Sequence, residues 1–132
     1  MEEIIRIANN NNFFGLKGNA QYRHSLKNKS CGDEIKVEFD LEKQKLRNFR
    51  YEGETCIYCQ ASASLLSKNI SKLNLDNLSK LKTQIQDYFG ENKKNQILVL
   101  FDFKKLLKKE NKNRKDCIIL PINAILNTPK IK

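Results

Sequence analysis

The sequence has no tryptophan, and hydrophobic residues make up only 39% of its 132 positions. A chain of this length and composition is expected to form one compact domain, residues 1–132, with a modest core. No apolar run approaches the roughly 20 residues that cross a bilayer, and Glu2 and Glu3 stand where a secretory signal would be basic. We therefore expect a cytoplasmic protein that neither spans a membrane nor is exported.

Histidine occurs once, at position 24, and cysteine four times. His24 alternates with Tyr22 and Leu26 in the segment QYRHSL, so we expect it to pack in a strand rather than to bind a metal. Because cytosolic thiol buffers keep disulfides reduced, the cysteines are expected to be thiols or metal ligands. The candidate functional thiols are Cys31, Cys56, Cys59 and Cys117.

Basic residues are in large excess: Lys and Arg number 25 and Asp and Glu 15, which gives a net charge of +10. The densest basic run is KKLLKKENKNRK at residues 104–115. Nucleic-acid binding proteins carry such runs, but this one has no interleaved aromatic residues on which bases could stack. Its abundance of Lys and Asn is also typical of A/T-rich genomes. We therefore expect a solvated surface first, steering of an acidic protein partner second, and no nucleic-acid partner.

Three segments have the alternation of half-buried strands. In EIKVEFDL, residues 34–41, apolar side chains alternate strictly with charged ones, which predicts that one face is buried. QYRHSL before it and LRNFRYEG after it are predicted strands as well. The polar turn EKQK should join the second strand to the third as an antiparallel hairpin.

Helical patterns flank these strands. EEIIRIA predicts a short first helix, QASASLLSKNI a second, and LDNLSKLKTQIQDYFG an amphipathic helix that ends at Gly90. Residues 101–107 are expected to be helical, and RKDCIILPINAIL predicts a last helix that begins near Cys117, with Pro121 in its first turn or so. The fold class predicted from this order is α+β, a three-stranded antiparallel sheet with helices packed on one face.

The predicted elements place the cysteines in loops and at helix starts. Cys31 lies in the loop KSCGD before the second strand, Cys56 and Cys59 lie at a strand-to-helix junction, and Cys117 lies near the start of the last helix. Such positions can converge at one end of a layered fold, where Asp33 would add a carboxylate. Cysteine thiolates and a carboxylate around one ion suit zinc or iron.

Cys56 and Cys59 also form a C-x-x-C pair, which is typical of thiol-disulfide oxidoreductases. Such an enzyme would follow a β-α-β unit, whereas the strands predicted here are antiparallel, and it would leave Cys31 and Cys117 without a role. If Cys56 instead acts as a ligand, Cys59 is expected one turn along its helix, either buried as a small apolar residue or available as an alternate thiolate.

The order of these motifs resembles that of the iron-sulfur cluster assembly scaffolds related to the N-terminal domain of NifU. The resemblance extends over residues 31 to 126, and its combination of three motifs is more specific than any one of them. The matching motifs are Cys31-Gly32-Asp33 before a strand, YEGETC continuing into QASASLL at Cys56, and Arg114-Lys115-Asp116-Cys117 at the last helix.

The resemblance implies that Cys31, Asp33, Cys56 and Cys117 hold a [2Fe-2S] cluster during assembly, or a zinc ion in its place. It implies a scaffold, not an enzyme, that accepts sulfur from a cysteine desulfurase, binds iron transiently and transfers the cluster to recipient iron-sulfur apoproteins. A zinc-bound sulfur-relay protein that activates a desulfurase would use the same ligands, so it remains an alternative.

The sequence departs from the family pattern at three positions. Asp116 stands before the third cysteine, where many members carry His or Lys, so a possible fourth ligand or base is replaced by a carboxylate. Thr55 stands where many members have glycine before the second cysteine. Cys59 stands where the family has a small or apolar residue, so the resemblance assigns it no role.

Overall fold

The computed structural model describes residues 1–10, 14–30, 32–90 and 97–129, which contain three strands and four α-helices. The strands are β1 (Tyr22–Lys27), β2 (Glu34–Glu42) and β3 (Lys45–Glu54), joined in the order β1-β2-β3 as an antiparallel sheet. The predicted α+β class and three-stranded sheet are confirmed. The helices are α1 (Glu2–Ala8), α2 (Ile57–Lys68), α3 (Leu75–Phe89) and α4 (Lys115–Leu126).

The hairpin of β2 and β3 has the predicted turn. Lys43 and Gln44 connect the strands and both have positive φ angles, 52° and 71°. Positive φ at both central residues is the geometry of a type I′ turn, which matches the twist of the two strands. The alternating apolar residues of β2 face the core, where Ile35, Val37 and Phe39 are each at most 2% exposed.

A β-bulge in β3 keeps its apolar residues on the core face. The pairing shifts between Glu38 and Asp40 of β2, and on the opposite strand Asn48 has a φ of 55°. Leu46 and Phe49 are consequently both buried although they are three residues apart. Without the extra residue, a period of two would turn one of them toward the other face.

The outer face of the sheet is covered by residues 14–21 rather than by a helix. Glu38 is only 2% exposed, and its carboxylate accepts hydrogen bonds from the backbone N–H groups of Lys17 at 3.2 Å and Gly18 at 2.9 Å. Arg50 donates from Nε to the carbonyl oxygen of Gly15 at 2.6 Å. These bonds account for a charged residue that is buried within an otherwise alternating strand.

Among the helices, α3 is the most amphipathic by sequence and begins with a capping box. Asn74 and Asn77 each accept a hydrogen bond from the other's backbone N–H, at 2.8 and 2.7 Å, which satisfies two of the free donors at the helix start. The helix ends at Gly90 as predicted, with an extended φ of −93° rather than a left-handed cap. No helix in the described ranges combines the length and apolar character needed to cross a membrane.

In the C-terminal third, the helical prediction at residues 101–107 holds for a 3₁₀ helix, Phe101–Lys105, which is followed by a second one, Lys109–Arg114. The expectation for Pro121 needs correction. Pro121 does not lie in the first turn of α4, because that helix begins at Lys115 and the proline is its seventh residue. The surrounding residues of α4 are buried, so tertiary packing outweighs the backbone hydrogen bond that proline cannot donate.

Helices α2 and α4 are joined directly by a buried hydrogen bond. The Ser62 hydroxyl donates to the carbonyl oxygen of Ile118 at 2.6 Å, and Ser62 is fully buried. Alanines at positions 61 and 63 are also fully buried, which is consistent with the close approach that the small-residue segment predicts. The contact sets the position of α4 relative to α2, and each of these helices begins near a cysteine.

Replacing Ser62 with alanine should lower the free energy of unfolding by about 1 kcal/mol, because one buried interhelical hydrogen bond is lost. The matched control is Ser67→Ala, since Ser67 is also buried but donates within α2, to the carbonyl oxygen of Ser64 at 2.8 Å. Both variants should be measured by urea unfolding. Only Ser62→Ala should also loosen the packing of α4, seen as faster amide hydrogen exchange there; equal exchange in the two variants would contradict the assigned role.

Candidate metal and thiol site

Antiparallel pairing of β2 with β3 brings Asp33 close to Cys56. β2 begins at Glu34 and β3 ends at Glu54, and these two residues are paired in the sheet. The residues just outside the pair therefore lie at the same end of the hairpin. Gly53 permits the close approach of the strands, because a side chain at that position would overlap the carbonyl oxygen of Glu34.

A tight loop before β2 places Asp33 in the interior. The Asn28 N–H donates to the carbonyl oxygen of Asp33 at 2.7 Å, and the Gly32 N–H donates to that of Asn28 at 2.8 Å. Gly32 has a φ of 79°, a conformation that glycine adopts without steric cost. Asp33 is only 7% exposed as a result. The neighbouring Cys31, a predicted ligand, lies outside the described residues.

Cys56 is the N-cap residue of α2, with extended backbone angles of φ −72° and ψ 167°. N-cap positions normally carry Ser, Thr, Asp or Asn, whose side-chain oxygen accepts a hydrogen bond from the first turn. The Cys56 side chain makes no such bond and is half-buried. Cys56 therefore does not stabilise the start of α2 by capping, and its thiol is left as a donor at this end of the helix.

Cys117 is the third residue of α4 and is 3% exposed. The buried residues that follow it in α4, Ile118 and Ile119 among them, hold the start of the helix against the protein core. The hydrogen bond from Ser62 to Ile118 lies one residue beyond the thiol. The position of Cys117 relative to α2 is therefore determined by the contact between the two helices.

Asp33, Cys56 and Cys117 converge on one point. A carboxylate oxygen of Asp33 and the two Sγ atoms all lie within 4.8 Å of one another. Ligand atoms around a tetrahedral zinc ion are roughly 3.3–3.8 Å apart, given Zn–S and Zn–O distances of about 2.3 and 2.0 Å. Small side-chain rotations would therefore bring these three donors to a common ion.

One carboxylate oxygen at this site needs a partner. Asp33 Oδ2 is buried and has no hydrogen-bond partner among the described residues. A buried polar atom without a partner carries a desolvation penalty of about 1–3 kcal/mol, and more when it is charged. Coordination of a cation by this oxygen would remove the penalty, so the site fits a metal in both its geometry and its donor chemistry.

Positive potential surrounds the three donors. Both α2 and α4 begin at the site, and each helix N-terminus carries about half a positive charge. The guanidinium carbon of Arg114, the N-cap residue of α4, lies 5.3 Å from the centre of the Tyr58 ring in the first turn of α2. This cation–π contact links the two helix starts. The sequence analysis did not predict a role for Tyr58 at the site, although this aromatic residue stands only two positions after Cys56.

Cys59 lies in the core, three residues after Cys56. It is fully buried, as is expected of a small apolar residue at this position, and it is not one of the three clustered donors. Burial raises the pKa of the nearby Tyr51 hydroxyl above its usual value. The side chain of Ser64 lowers this pKa in part, and the electrostatic interaction with Cys59 raises it further. No disulfide joins the three described cysteines.

The other candidate ligands do not join the cluster. His24 is half-buried on β1, paired with Val37 of β2, and lies in the strand as predicted. Asp116, the residue before Cys117, is exposed at the start of α4. The groups of acidic, cysteine and histidine side chains in the described ranges yield one candidate metal cluster, Asp33 with Cys56 and Cys117.

Comparison with known proteins identifies a family and several relatives. The family described as the NifU-like N terminal domain matches residues 1–100, a range that contains Asp33 and Cys56 and ends before Cys117. The iron-sulfur cluster assembly scaffold protein IscU of Thermotoga maritima is 30% identical over 108 residues, which cover 78% of this chain and 76% of that protein.

Two solved structures share the fold across most of the chain. The N-terminal NifU-like protein of Brucella abortus superposes with a TM-score of 0.83 at 19% identity, covering 96% of this chain and 89% of that one. A candidate SUF-system scaffold protein for iron-sulfur cluster assembly, FiSufU from Fervidobacterium islandicum, gives a TM-score of 0.84 at 24% identity, covering 97% of this chain and 94% of that one.

Proposed function

This chain belongs to the family of NifU-like N-terminal domains, and from that membership we propose that residues 1–132 act as one iron-sulfur cluster assembly scaffold. The observation that supports this most directly is the convergence of Asp33, Cys56 and Cys117 within 4.8 Å, with a buried carboxylate oxygen that has no hydrogen-bond partner in the described ranges. The proposed role is to carry cargo between proteins rather than to catalyse a reaction.

The donor set suits a cluster that is assembled and then released. Thiolates bind iron strongly, whereas a carboxylate is a harder ligand that binds soft iron-sulfur centres less firmly. We propose Cys56 and Cys117 as the firm ligands and Asp33 as the labile one, with Cys31 as a further ligand from the loop beside Asp33. The positive helix N-termini would stabilise the negative charge that these ligands carry.

Sulfur is proposed to enter as a persulfide from a cysteine desulfurase. A thiolate of the scaffold attacks the outer sulfur of the donor's persulfide, a new S–S bond forms on the scaffold, and the donor leaves as a thiolate. Cys56 is the proposed acceptor because it is half-buried, whereas Cys117 is 3% exposed. Release of the sulfur as sulfide then needs two electrons, which a dithiol reductant supplies as it is oxidised to a disulfide.

Zinc is the alternative occupant of the same site. Cysteine and aspartate donors in tetrahedral arrangement bind zinc as well as iron, so a zinc-bound sulfur-relay protein remains the second candidate function. A C-x-x-C oxidoreductase is disfavoured: the described sheet is wholly antiparallel, and Cys59, the thiol that would resolve a mixed disulfide, is fully buried.

The purified protein should bind about one zinc ion per chain. Replacing Cys31, Cys56 or Cys117 with serine should each weaken zinc binding by more than the 10–100-fold that loss of an outer-sphere partner typically causes. Affinity is to be measured by competition with a chromophoric chelator, and thermal unfolding of each apoprotein shows that the variant folds. Unchanged affinity in all three variants would rule out the proposed site.

Replacing Asp33 with alanine should slow cluster transfer more than it impairs cluster assembly, because the labile ligand is removed while the thiolates remain. Assembly is followed by absorbance after addition of ferrous iron, sulfide and dithiothreitol, and transfer by the appearance of holo-ferredoxin. Asp116→Ala is the matched control, since it removes an exposed carboxylate outside the cluster. Equal transfer rates for Asp33→Ala and the parent would remove Asp33 from the release step.

Replacing Cys59 with alanine should leave zinc binding and cluster assembly largely intact, whereas Cys56→Ala should abolish both. Cys59 is a core residue, so its loss costs some stability without removing a donor. Mass spectrometry after incubation with a desulfurase and cysteine should locate the persulfide on Cys56. Sulfur found only on Cys59, with Cys117 dispensable, would favour the redox function instead.

A further inference from the structure

The positive charge of this chain is concentrated in one short stretch. Residues 104–115, here called the basic segment, contain seven Lys or Arg residues and one acidic residue, Glu110. These twelve positions supply six of the ten net positive charges of the whole chain. Compositional drift would distribute the excess along the sequence, so its concentration calls for a local cause.

The structure holds the basic segment as an ordered surface rather than as a tail. Leu106, Leu107 and Asn111 are buried and fix its backbone against the core. The Asn111 side chain donates to the carbonyl oxygen of Leu106 at 2.9 Å, and its N–H donates to that of Lys108 at 2.8 Å. The basic side chains of the segment face solvent. Six of the seven are exposed, and Lys115 is half-buried.

Little within the described part of the chain neutralises these charges. Lys108 lies 4.0 Å from Glu3 of α1, with both side chains about half exposed, and this is the segment's only ion pair among the described residues. Phe101, just before the segment, is 73% exposed, and the ammonium of Lys104 lies 5.6 Å from its ring centre. Aromatic residues are enriched at protein interfaces, so an exposed ring next to a charged surface favours a protein contact there.

The basic segment leads directly into the metal and thiol site. Its last residue, Lys115, is also the first residue of α4, and Cys117 follows two positions later. A molecule that binds along the segment would therefore be held beside the thiols. On the basis of the proposed function, we propose that the basic segment is the docking surface for an acidic face of the protein that donates sulfur to this site.

A protein suits this surface better than a nucleic acid does. Binding of single strands depends on several aromatic side chains interleaved with the cations, and the basic segment contains none; Phe101 lies outside it. Opposite charges across a protein interface raise the association rate by about 10- to 1,000-fold, an effect that falls steeply with salt. A transfer site benefits from such steering because donor and acceptor must meet and separate repeatedly.

The test is a pair of charge-matched triple variants. Lys105, Lys109 and Lys112 are exposed and have no ion pair among the described residues, so all three are changed to glutamine. The control changes Lys68, Lys72 and Lys80 to glutamine; these lysines are also exposed. Lys68 ends α2, about 18 Å along the helix from Cys56 at the usual rise per residue.

Binding to the cysteine desulfurase of the same organism is measured by surface plasmon resonance at several salt concentrations. The Lys105, Lys109 and Lys112 variant should bind about tenfold or more weakly, chiefly through a slower association rate, while the control binds like the parent. The difference should shrink as salt shortens the screening length from about 10 Å at 0.1 M. Equal binding by the two triple variants, or no binding by the parent, would overturn the docking surface.

Two further measurements separate the possible causes of failure. Zinc affinity and cluster assembly from free sulfide need no partner, so both should be unchanged in the two triple variants. If they are intact while the docking result is negative, the docking surface is wrong and the proposed scaffold site stands. Tight binding of a mixed-sequence single-stranded RNA at physiological salt, lost only in the Lys105, Lys109 and Lys112 variant, would replace the protein partner with a nucleic acid.

Discussion

The close approach of three donor side chains is the constraint on which the rest of this structure depends. Asp33, Cys56 and Cys117 lie within 4.8 Å of one another although they are far apart in the sequence. Two like unit charges about 4 Å apart repel by about 4 kcal/mol at an effective dielectric constant of 20, so donors that bind a cation as anions depend on the surrounding fold to hold them together. The β2–β3 pairing fixes the first two, and the Ser62 hydrogen bond to α4 fixes the third.

Much of the fold could be predicted from the sequence, because its strands and its amphipathic helix bury one face each and so carry a clear period. The deviations arose where tertiary packing overrides local preference. The residues around Asn48 carry no local signal for a β-bulge. The extra residue in β3 is favoured only because it lets Leu46 and Phe49 both pack in the core. Pro121 is tolerated inside α4 because its neighbours are buried, which no local rule for proline takes into account.

The candidate site was predicted as a set of residues but not as a geometry. The order of the motifs predicted Cys31, Asp33, Cys56 and Cys117. The structure brings the last three within 4.8 Å of one another, and Cys31 lies outside the described residues. The unpartnered oxygen of Asp33 and the contact between Arg114 and Tyr58 depend on distances between elements far apart in sequence. Such contacts leave no periodic signal in a single sequence, so only the folded chain reveals them.

The burial of the donors divides the site into an inner and an outer side. Asp33 and Cys117 are almost fully buried. The half-buried Cys56 lies at the start of α2, and the exposed Arg114 contacts the Tyr58 ring in the first turn of the same helix. The outer side is thus the face at which a donor thiol is accessible, and the basic segment ends beside the same helix start. A buried interior thus fixes Asp33 and Cys117 while Cys56 stays accessible. Under the proposed scaffold function, the labile ligand Asp33 is therefore held on the buried side and the proposed sulfur acceptor Cys56 on the accessible side.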